Sequence, residues 1–370
     1  MLMLNCQTDI LELKLEVEPE FDFLSPEYHE LYSHSNATAF QAPLWMGMLN
    51  QKLAPRLSAK QYTITARRVG GGQLVAVMPL VIQRVRGVAM ILPADFGLCD
   101  YNAVVANNAV LDRLARNPEN LKRIAELVGE ADLVMFRKVR ADSFDVRRLF
   151  PKGMMSISEH AAYRCDFGSD LDAWRRTLAK SISNRLPRQY RQVEQQFGPY
   201  EHRRVRDETG IRDAFAFLKR VREGRFEGDL IEDPLYYDFY LEYAIASAGS
   251  GEAGLYVGYI DGQPVSFLFG LMGGRHFHAV QLGADRDRYS KYSVGNQIYY
   301  YAMQAQFNEG QTMLDMGIGD TGYKSDFRAV QIPMCNFTSA NTLKGAAIAT
   351  VYHRVKPLKN MLRQLAPRLH

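Results

Sequence analysis

Cysteine is scarce in this 370-residue sequence, which contains only Cys6, Cys99, Cys165 and Cys335. The four lie far apart and form no CxxC pair, which argues against both a disulfide framework and a zinc site. No run is long and apolar enough to span a membrane. The first twenty residues carry acids where a signal peptide needs basic residues. These absences predict a cytoplasmic protein without a membrane span.

The sequence also lacks a strong excess of either charge. It has 45 Lys and Arg against 41 Asp and Glu, for a formal net charge of +4. A dedicated nucleic-acid-binding protein usually carries a larger and more concentrated basic excess. Hydrophobic residues make up 47%, which is ordinary for a globular protein. Because the chain is too long for one ordinary core, we expect two domains.

The clearest pattern lies between residues 254 and 284. Three β-rich runs are separated there by the dipeptides DG and GG, which are typical of two-residue hairpin turns. The pattern predicts an antiparallel meander, followed by a helix that ends near Gly310. A strand, a short helix and another strand then imply one parallel pair in a mostly antiparallel sheet. Upstream, one strand and two helices are predicted at 201–207, 208–222 and 234–248.

The first half repeats this order weakly. Two helical patterns precede β-rich runs separated by GGG, and a helical stretch near 108–128 leads into the strand-like run ADLVMFRKV. Two copies of one unit explain the length, and we assign them to residues 1–158 and 159–370. The predicted fold class is α/β (α+β), in which each unit is a mixed, mostly antiparallel sheet flanked by helices.

Four segments stand in a distinctive order: FQAPLW at 40–45, LAKSISNRLPRQYRQVEQQFG at 178–198, YSVGN at 292–296 and LDMGIGDTGYKSDF at 314–327. With the element order, they make the chain resemble the Fem-type acyltransferases, which have two tandem Gcn5-related N-acetyltransferase (GNAT) domains. The chain is most similar to the group named after the cellulose-biosynthesis protein CelD. The resemblance implies transfer of an acyl group from acyl-CoA, acetyl-CoA or longer, to an amine or hydroxyl. A small-molecule or carrier-linked sugar or cell-envelope (exopolysaccharide) precursor is the implied acceptor.

The segment YSVGN is the expected cofactor turn. In the GNAT fold a helix N-terminus holds the coenzyme A pyrophosphate, because its first amides lack internal partners and the helix dipole favours an anion. The resemblance assigns this role to Ser293, Val294, Gly295 and Asn296, with Lys291 and Arg288 at the rim. An ordinary helix capped by Ser293 is the alternative. Since the first unit has no clear phosphate turn, only the second is expected to bind acyl-CoA.

The segment LDMGIGDTGYKSDF supplies the expected catalytic residues Asp315, Tyr323 and Lys324. The resemblance implies that Tyr323 protonates the departing thiolate, and a phenol with a pKa near 10 can donate to a thiolate of comparable basicity. Lys324 could bind an anionic substrate or fix the loop. A solvated helix start with an Asp–Lys pair is the competing interpretation.

Other polar residues carry weaker predictions. His276 and His278 share one strand face, but no third ligand stands at a suitable interval, so no metal is expected. One imidazole could act as a general base, and a structural histidine is the alternative. In the first unit, Asp95, Asp100 and Tyr101 could face an acceptor groove, or the unit could be purely structural.

The segment 174–206 holds nine Arg or Lys against two Glu. It is either a solvated helix face or a docking surface for a polyanion. The polyanion could be the 3′-phosphate of the cofactor, a nucleotide-linked sugar, an acyl carrier protein or a charged tRNA. Two other functions stay open: a Fem-type transfer of an aminoacyl group from tRNA to a peptidoglycan precursor, and a non-catalytic scaffold of a polysaccharide-biosynthesis system.

Overall fold

A computed structural model describes residues 12–274 and 276–355. Cys6 and the first half of the N-terminal stretch that was considered for a signal peptide lie outside the described residues. Within the described ranges, no helix is both long and apolar enough to cross a bilayer.

The first half begins with a strand that the sequence pattern did not indicate. Its strands are β1 (Leu13–Glu18), β2 (Ala59–Gln61), β3 (Thr63–Arg68), β4 (Leu74–Met78), β5 (Leu80–Val85), β6 (Val88–Pro93), β7 (Leu133–Arg140) and β8 (Met154–Ile157). Its helices are α1 (Pro26–Ser33), α2 (Pro43–Met48), α3 (Asn108–Arg116) and α4 (Pro118–Leu127). The predicted helical stretch near 108–128 is divided at Pro118, because proline lacks the amide that would continue α3 and instead starts α4.

The second half follows the predicted order closely. Its strands are β9 (Ala162–Asp166), β10 (Tyr200–Arg204), β11 (Ala253–Ile260), β12 (Gln263–Gly273), β13 (His276–Ala284), β14 (Met313–Ile318), β15 (Val330–Ile332) and β16 (Met334–Ala340). Its helices are α5 (Leu171–Thr177), α6 (Leu186–Phe197), α7 (Glu208–Arg222), α8 (Pro234–Ser247), α9 (Arg286–Tyr289), α10 (Val294–Asn308), α11 (Tyr323–Asp326) and α12 (Leu343–Thr350). The meander of β11, β12 and β13 is antiparallel throughout, as predicted from its turns.

Two large sheets organise these strands. The first has the order β2-β5-β6-β7-β16-β8, with the smaller sheet β1-β3-β4 beside it, and the second has the order β10-β11-β12-β13-β14-β9-β15. The described strands form one parallel pair in each large sheet, β6–β7 and β13–β14. The predicted fold class is therefore confirmed: both halves are mixed, mostly antiparallel sheets flanked by helices.

One strand crosses from the second half to the sheet of the first. β16, from the C-terminal part of the chain, lies between β7 and β8 in the first sheet, and β9 lies between β14 and β15 in the second. The predicted units 1–158 and 159–370 therefore do not each contain one complete sheet, since β16 completes the sheet of the other half. The alternation of apolar and polar residues along a strand determines which face of the strand is buried, but it does not specify which sheet the strand joins.

The two halves also share one hydrophobic core. Trp45, from the segment FQAPLW, is fully buried and packs against α8, with ring-centroid distances of 5.1 Å to Phe239 and 4.7 Å to Tyr243. Gly273 permits close backbone contact, because a Cβ there would lie 2.6 Å from the Ala39 nitrogen. This shared core fixes the position of first-half residues relative to the second sheet.

Candidate active site

A cavity opens where β13 and β14 diverge. The two strands pair only through Phe277 with Leu314 and His278 with Asp315. Beyond these pairs lies a space of about 530 Å³, which we call the β13–β14 cavity. Its lining includes the turn before α10, the start of α11 and one first-half acid: residues 293–296, Tyr299, Tyr323, Lys324 and Asp100.

The turn before α10 has an unusual backbone. Ser293 adopts the left-handed conformation, with φ 54° and ψ 39°, and its side chain makes no capping hydrogen bond, so the alternative of an ordinary serine cap is not what the structure shows. A left-handed non-glycine residue is strained, and such strain is concentrated at functional sites. Since the first amides of a helix lack internal acceptors, Val294 and Gly295 offer theirs at the cavity wall.

The cations around this turn differ from those predicted. Lys291 does not line the cavity. It is exposed and lines a separate open groove with Arg185 and Arg188, which we call the basic groove. The backbone of 290–293 separates the two spaces, because Ser290 and Ser293 line the cavity while Lys291 lines the groove.

Three arginines that the sequence analysis missed line the cavity, Arg222, Arg225 and Arg286. Arg222 forms an ion pair with Asp229 at 2.5 Å. Arg225 forms an ion pair with Asp287 at 2.7 Å. Arg225 belongs to a loop between two helices, far in sequence from the turn. Only the packing of that loop against the end of β13 reveals its position, whereas Arg286 follows β13 directly and could have been considered with Arg288.

Two tyrosines face each other in the cavity. Tyr323 is the first residue of α11 and is partly exposed, and its ring lies 5.5 Å from that of Tyr299. Burial raises the pKa of Tyr299 well above its usual value, and neighbouring Tyr323 raises it further. Tyr323 is therefore the more accessible phenol. Tyr299 was missed, although its spacing of four from Gly295 places both on one face of α10.

Lys324 is a buried residue that fixes the end of β14. Its Nζ donates hydrogen bonds of 3.1 Å to the carbonyl oxygens of Gly317 and Ile318. Burial lowers the pKa of Lys324 to about 8, and Asp100 and Asp315 oppose that shift. These contacts favour the loop-fixing alternative over the binding of an anionic substrate.

Asp100 brings a carboxyl group from the first half into the cavity. Its Oδ2 lies 3.4 Å from the Ile318 amide nitrogen, which donates to it. Burial raises the pKa of Asp100 to about 6. Asp95, by contrast, is buried within the first half, where its oxygens accept hydrogen bonds from Gly97 and Asn102.

Asp315 joins the two halves and does not line the β13–β14 cavity. Its carboxylate accepts hydrogen bonds from Tyr101 Oη at 2.6 Å, the Gly317 amide at 2.8 Å and Arg140 Nη1 at 3.1 Å. Because both carboxylate oxygens of Asp315 already accept hydrogen bonds, the structure favours a role in positioning the two halves. A catalytic role for Asp315 stays a prediction.

The two strand histidines lie on a second cavity, of about 470 Å³, between the halves, which we call the interface cavity. His278 packs edge-on against Phe40 and Tyr101, with ring centroids 6.0 and 6.1 Å apart. Across residues 12–274 and 276–355, no cluster of three or more His, Cys, Asp or Glu is arranged to hold a metal ion.

Comparisons with known proteins place this geometry in a known fold. Residues 180–325 match the family model described as an acetyltransferase (GNAT) domain. The fold is that of the GNAT acyltransferases. The GNAT-type segment spans α6 to α11, and so includes the turn at 293–296 and Tyr323. No curated protein matches the chain.

Solved structures resemble both halves of this GNAT-type chain together. FemX is 12% identical with a TM-score of 0.58, covering 85% of this chain and 96% of FemX. L-PGS from Bacillus licheniformis is 11% identical with a TM-score of 0.55, covering 91% and 97%. A conserved protein of unknown function from Bacteroides thetaiotaomicron VPI-5482 is 12% identical with a TM-score of 0.53, covering 88% and 100%. At such identities the likeness establishes the fold alone.

Proposed function

We propose that the protein is a cytoplasmic, CelD-like enzyme that transfers an acyl group from acyl-CoA to an amine or hydroxyl. The acceptor we propose is a sugar or a cell-envelope (exopolysaccharide) precursor. One observation carries the proposal. The β13–β14 cavity brings a strained, uncapped helix N-terminus and the accessible phenol of Tyr323 together where two parallel strands diverge.

The cavity residues fit an acyl-CoA donor. The amides of Val294 and Gly295 suit a pyrophosphate, since a helix N-terminus attracts anions. Arg286 adds a cation to the lining, while Arg222 and Arg225 are paired with Asp229 and Asp287. Acyl-CoA supplies the thioester, and the chain positions it and moves protons.

The proposed reaction needs one base and one acid. Asp100 accepts a proton from the acceptor amine or hydroxyl, which attacks the thioester carbonyl carbon. The carbon–sulfur bond breaks, and the departing thiolate takes a proton from Tyr323. The two groups suit these roles at neutral pH. Asp100, whose pKa is raised to about 6, is ionised there, while a phenol stays protonated.

Replacing Gly295 by valine is expected to raise the Kd of coenzyme A by about 10- to 100-fold, because the valine side chain keeps the phosphates away from the backbone amides. This change corresponds to the loss of one or two hydrogen bonds to a charged group. The fold should survive, because a Cβ at this position meets only the Ala284 Cβ, at 3.5 Å. Isothermal titration calorimetry measures the change. Gly71→Val is a matched control, since a Cβ at that hairpin glycine meets nothing within 4 Å. Equal affinity in the Gly295 variant and the parent would place the phosphate site elsewhere.

The pH dependence of the rate should report Asp100. Because a general base works when deprotonated, kcat/KM should rise as the pH increases through about 6 and then level off. Asp100→Asn should lose both most of the activity and this rise. The control is Asp320→Asn, an exposed acid near α11 that does not line the cavity. An unchanged profile in the Asp100 variant would assign the base to another group.

The basic groove supports a second proposal, a macromolecular carrier of the acyl group. Arg185, Arg188 and Lys291 are exposed beside the cofactor turn. An acyl carrier protein could deliver its acyl group from this side. The alternative is a Fem-type enzyme that binds an aminoacyl-tRNA there and acts on a peptidoglycan precursor, and the fold likeness to FemX is compatible with it.

Reversing Arg185, Arg188 and Arg191 to glutamate should weaken binding of such a partner and flatten its salt dependence, because fewer counterions are released. Binding of acyl carrier protein and of tRNA is measured at several salt concentrations. Reversal of Arg84, Arg113 and Arg116, exposed residues of the first half, controls for the change in net charge. If both triple variants behave like the parent, the segment is only a solvated helix face.

A further inference from the structure

The interface cavity lies between the two halves. From the first half it is lined by residues 101–104 and by the C-terminal end of β7 with the residues that follow it, Val139, Arg140, Asp142, Ser143 and Phe144. Residues of the second half close its other side, among them His278 and Asp315.

The charges that line the interface cavity are balanced. Arg140 donates hydrogen bonds to Asp142 at 2.9 and 2.8 Å and to Asp315 at 3.1 Å. Arg164 lies 3.7 Å from Asp142. Both arginines are thus paired with carboxylates. A polyphosphate or a polycarboxylate would have to compete with these acids, so the lining favours a neutral ligand.

Apart from the two histidines, the remaining polar groups are hydroxyls and amides, and most of them already bond within the chain. The hydroxyls of Ser35 and Ser143 donate to the carbonyl oxygens of Tyr32 and Arg140, but a hydroxyl oxygen can also accept, so these groups suit a ligand rich in hydroxyl groups. They are contributed by Ser35, Asn36, Thr38, Asn102, Asn108 and Ser143. Phe144 adds an aromatic surface of the kind that ligand pockets use beside their polar groups.

His278 provides an independent sign of a missing partner. The side chain is 5% exposed, and its Nδ1 has no hydrogen-bond partner among the described residues. The nearest acid oxygen, Asp315 Oδ2, is 3.8 Å away, which is too far for a hydrogen bond. Burial lowers the pKa of His278 to about 4, so the ring is neutral and can either accept or donate one hydrogen bond. Buried polar atoms in folded proteins are normally paired.

We propose that the interface cavity binds a neutral, polyhydroxylated ligand, a sugar unit, with His278 Nδ1 as one of its hydrogen-bond partners. If the proposed function is correct, this ligand is the acceptor. Asp100 lines the β13–β14 cavity and the adjacent Tyr101 lines the interface cavity, so the two spaces are separated by neighbouring residues. The binding of the sugar does not depend on the acyltransferase proposal, whereas its identity as the acceptor does.

Ligand-observed NMR on the full chain, with glucose and N-acetylglucosamine as separate probes, tests the site. Saturation transfer from the protein to at least one sugar is expected. Ala103→Trp, which fills the cavity from a partly exposed position, should abolish it, and Ala103→Ser should preserve it. His278→Leu should raise the Kd by about 3- to 10-fold, the usual value of one hydrogen bond. His278→Asn, which keeps a polar group near the Nδ1 position, should recover much of the loss.

Two outcomes would overturn the inference: no transfer to either sugar, whether or not uridine diphosphate binds in the cavity, or transfer that persists in Ala103→Trp. Calorimetry with coenzyme A on the same variants keeps the two proposals distinguishable. If the parent protein does not bind coenzyme A, the proposed function is wrong. The sugar experiment still tests the binding site in the interface cavity.

Discussion

Replacing Tyr323 by phenylalanine is expected to lower kcat by ~10²–10⁴-fold, the usual contribution of a general acid, while the Kd of acyl-CoA stays nearly constant. The phenol acts mainly in the transition state, as the thiolate leaves, so its loss affects the rate more than binding. The fold should be retained, because phenylalanine keeps the ring that packs 5.5 Å from Tyr299.

Steady-state kinetics on the parent and variant separates this role from two others. A substrate-binding role would raise the acceptor KM with little change in kcat, and a packing role would change neither constant. Tyr300→Phe is the matched control, since Tyr300 lies on α10 next to Tyr299 but stacks on Trp174 and does not line the cavity. Either of the other two outcomes would remove Tyr323 from the proposed mechanism. Slow hydrolysis of acyl-CoA can serve as the assay before an acceptor is found.

Phe337→Ala is expected to destabilise the protein by about 3–5 kcal/mol, the usual cost of truncating a buried phenylalanine. Phe337 is on β16, near the C-terminal end of the described chain, yet it is 1% exposed and packs against Phe150 of the first half at 5.8 Å. The effect follows from the position of β16, because this strand of the second half completes the core of the first sheet.

Urea denaturation followed by tryptophan fluorescence measures this loss. The sequence has one tryptophan in each half, Trp45 and Trp174, and each can be isolated by replacing the other with phenylalanine. Ile157→Ala, on neighbouring β8 and 79% exposed, should leave the midpoint nearly unchanged. A midpoint in Phe337→Ala close to that of the parent would contradict the placement of β16 in the first sheet.

Local turn chemistry explains why much of the second half could be predicted. The DG and GG dipeptides specify hairpin turns. Gly310, two residues after the end of α10, adopts the left-handed conformation with φ 83° that is typical of a helix C-terminus. Each of these features depends on a few neighbouring residues. The destination of β16 depends instead on β7 and β8, almost two hundred residues away, and the pattern of the strand does not specify that partner.

The same distinction applies to the site. Ser293 and Tyr323 were proposed from local motifs, and the structure brings both to one cavity, although their roles stay predictions. Lys291 was assigned to the rim by its place in the sequence, but its side chain lines the other side of the turn. Asp100 and Arg225 enter the cavity from distant segments, so the sequence alone could not single them out as its lining.

A crystal structure of the protein with coenzyme A would show where the cofactor binds. We expect the pyrophosphate within hydrogen-bond distance of the amides of Val294 and Gly295, and the thiol in the β13–β14 cavity beside Tyr323. Coenzyme A bound in the interface cavity or confined to the basic groove would show that the β13–β14 cavity is not the donor site, as would its absence from crystals soaked at saturating concentration.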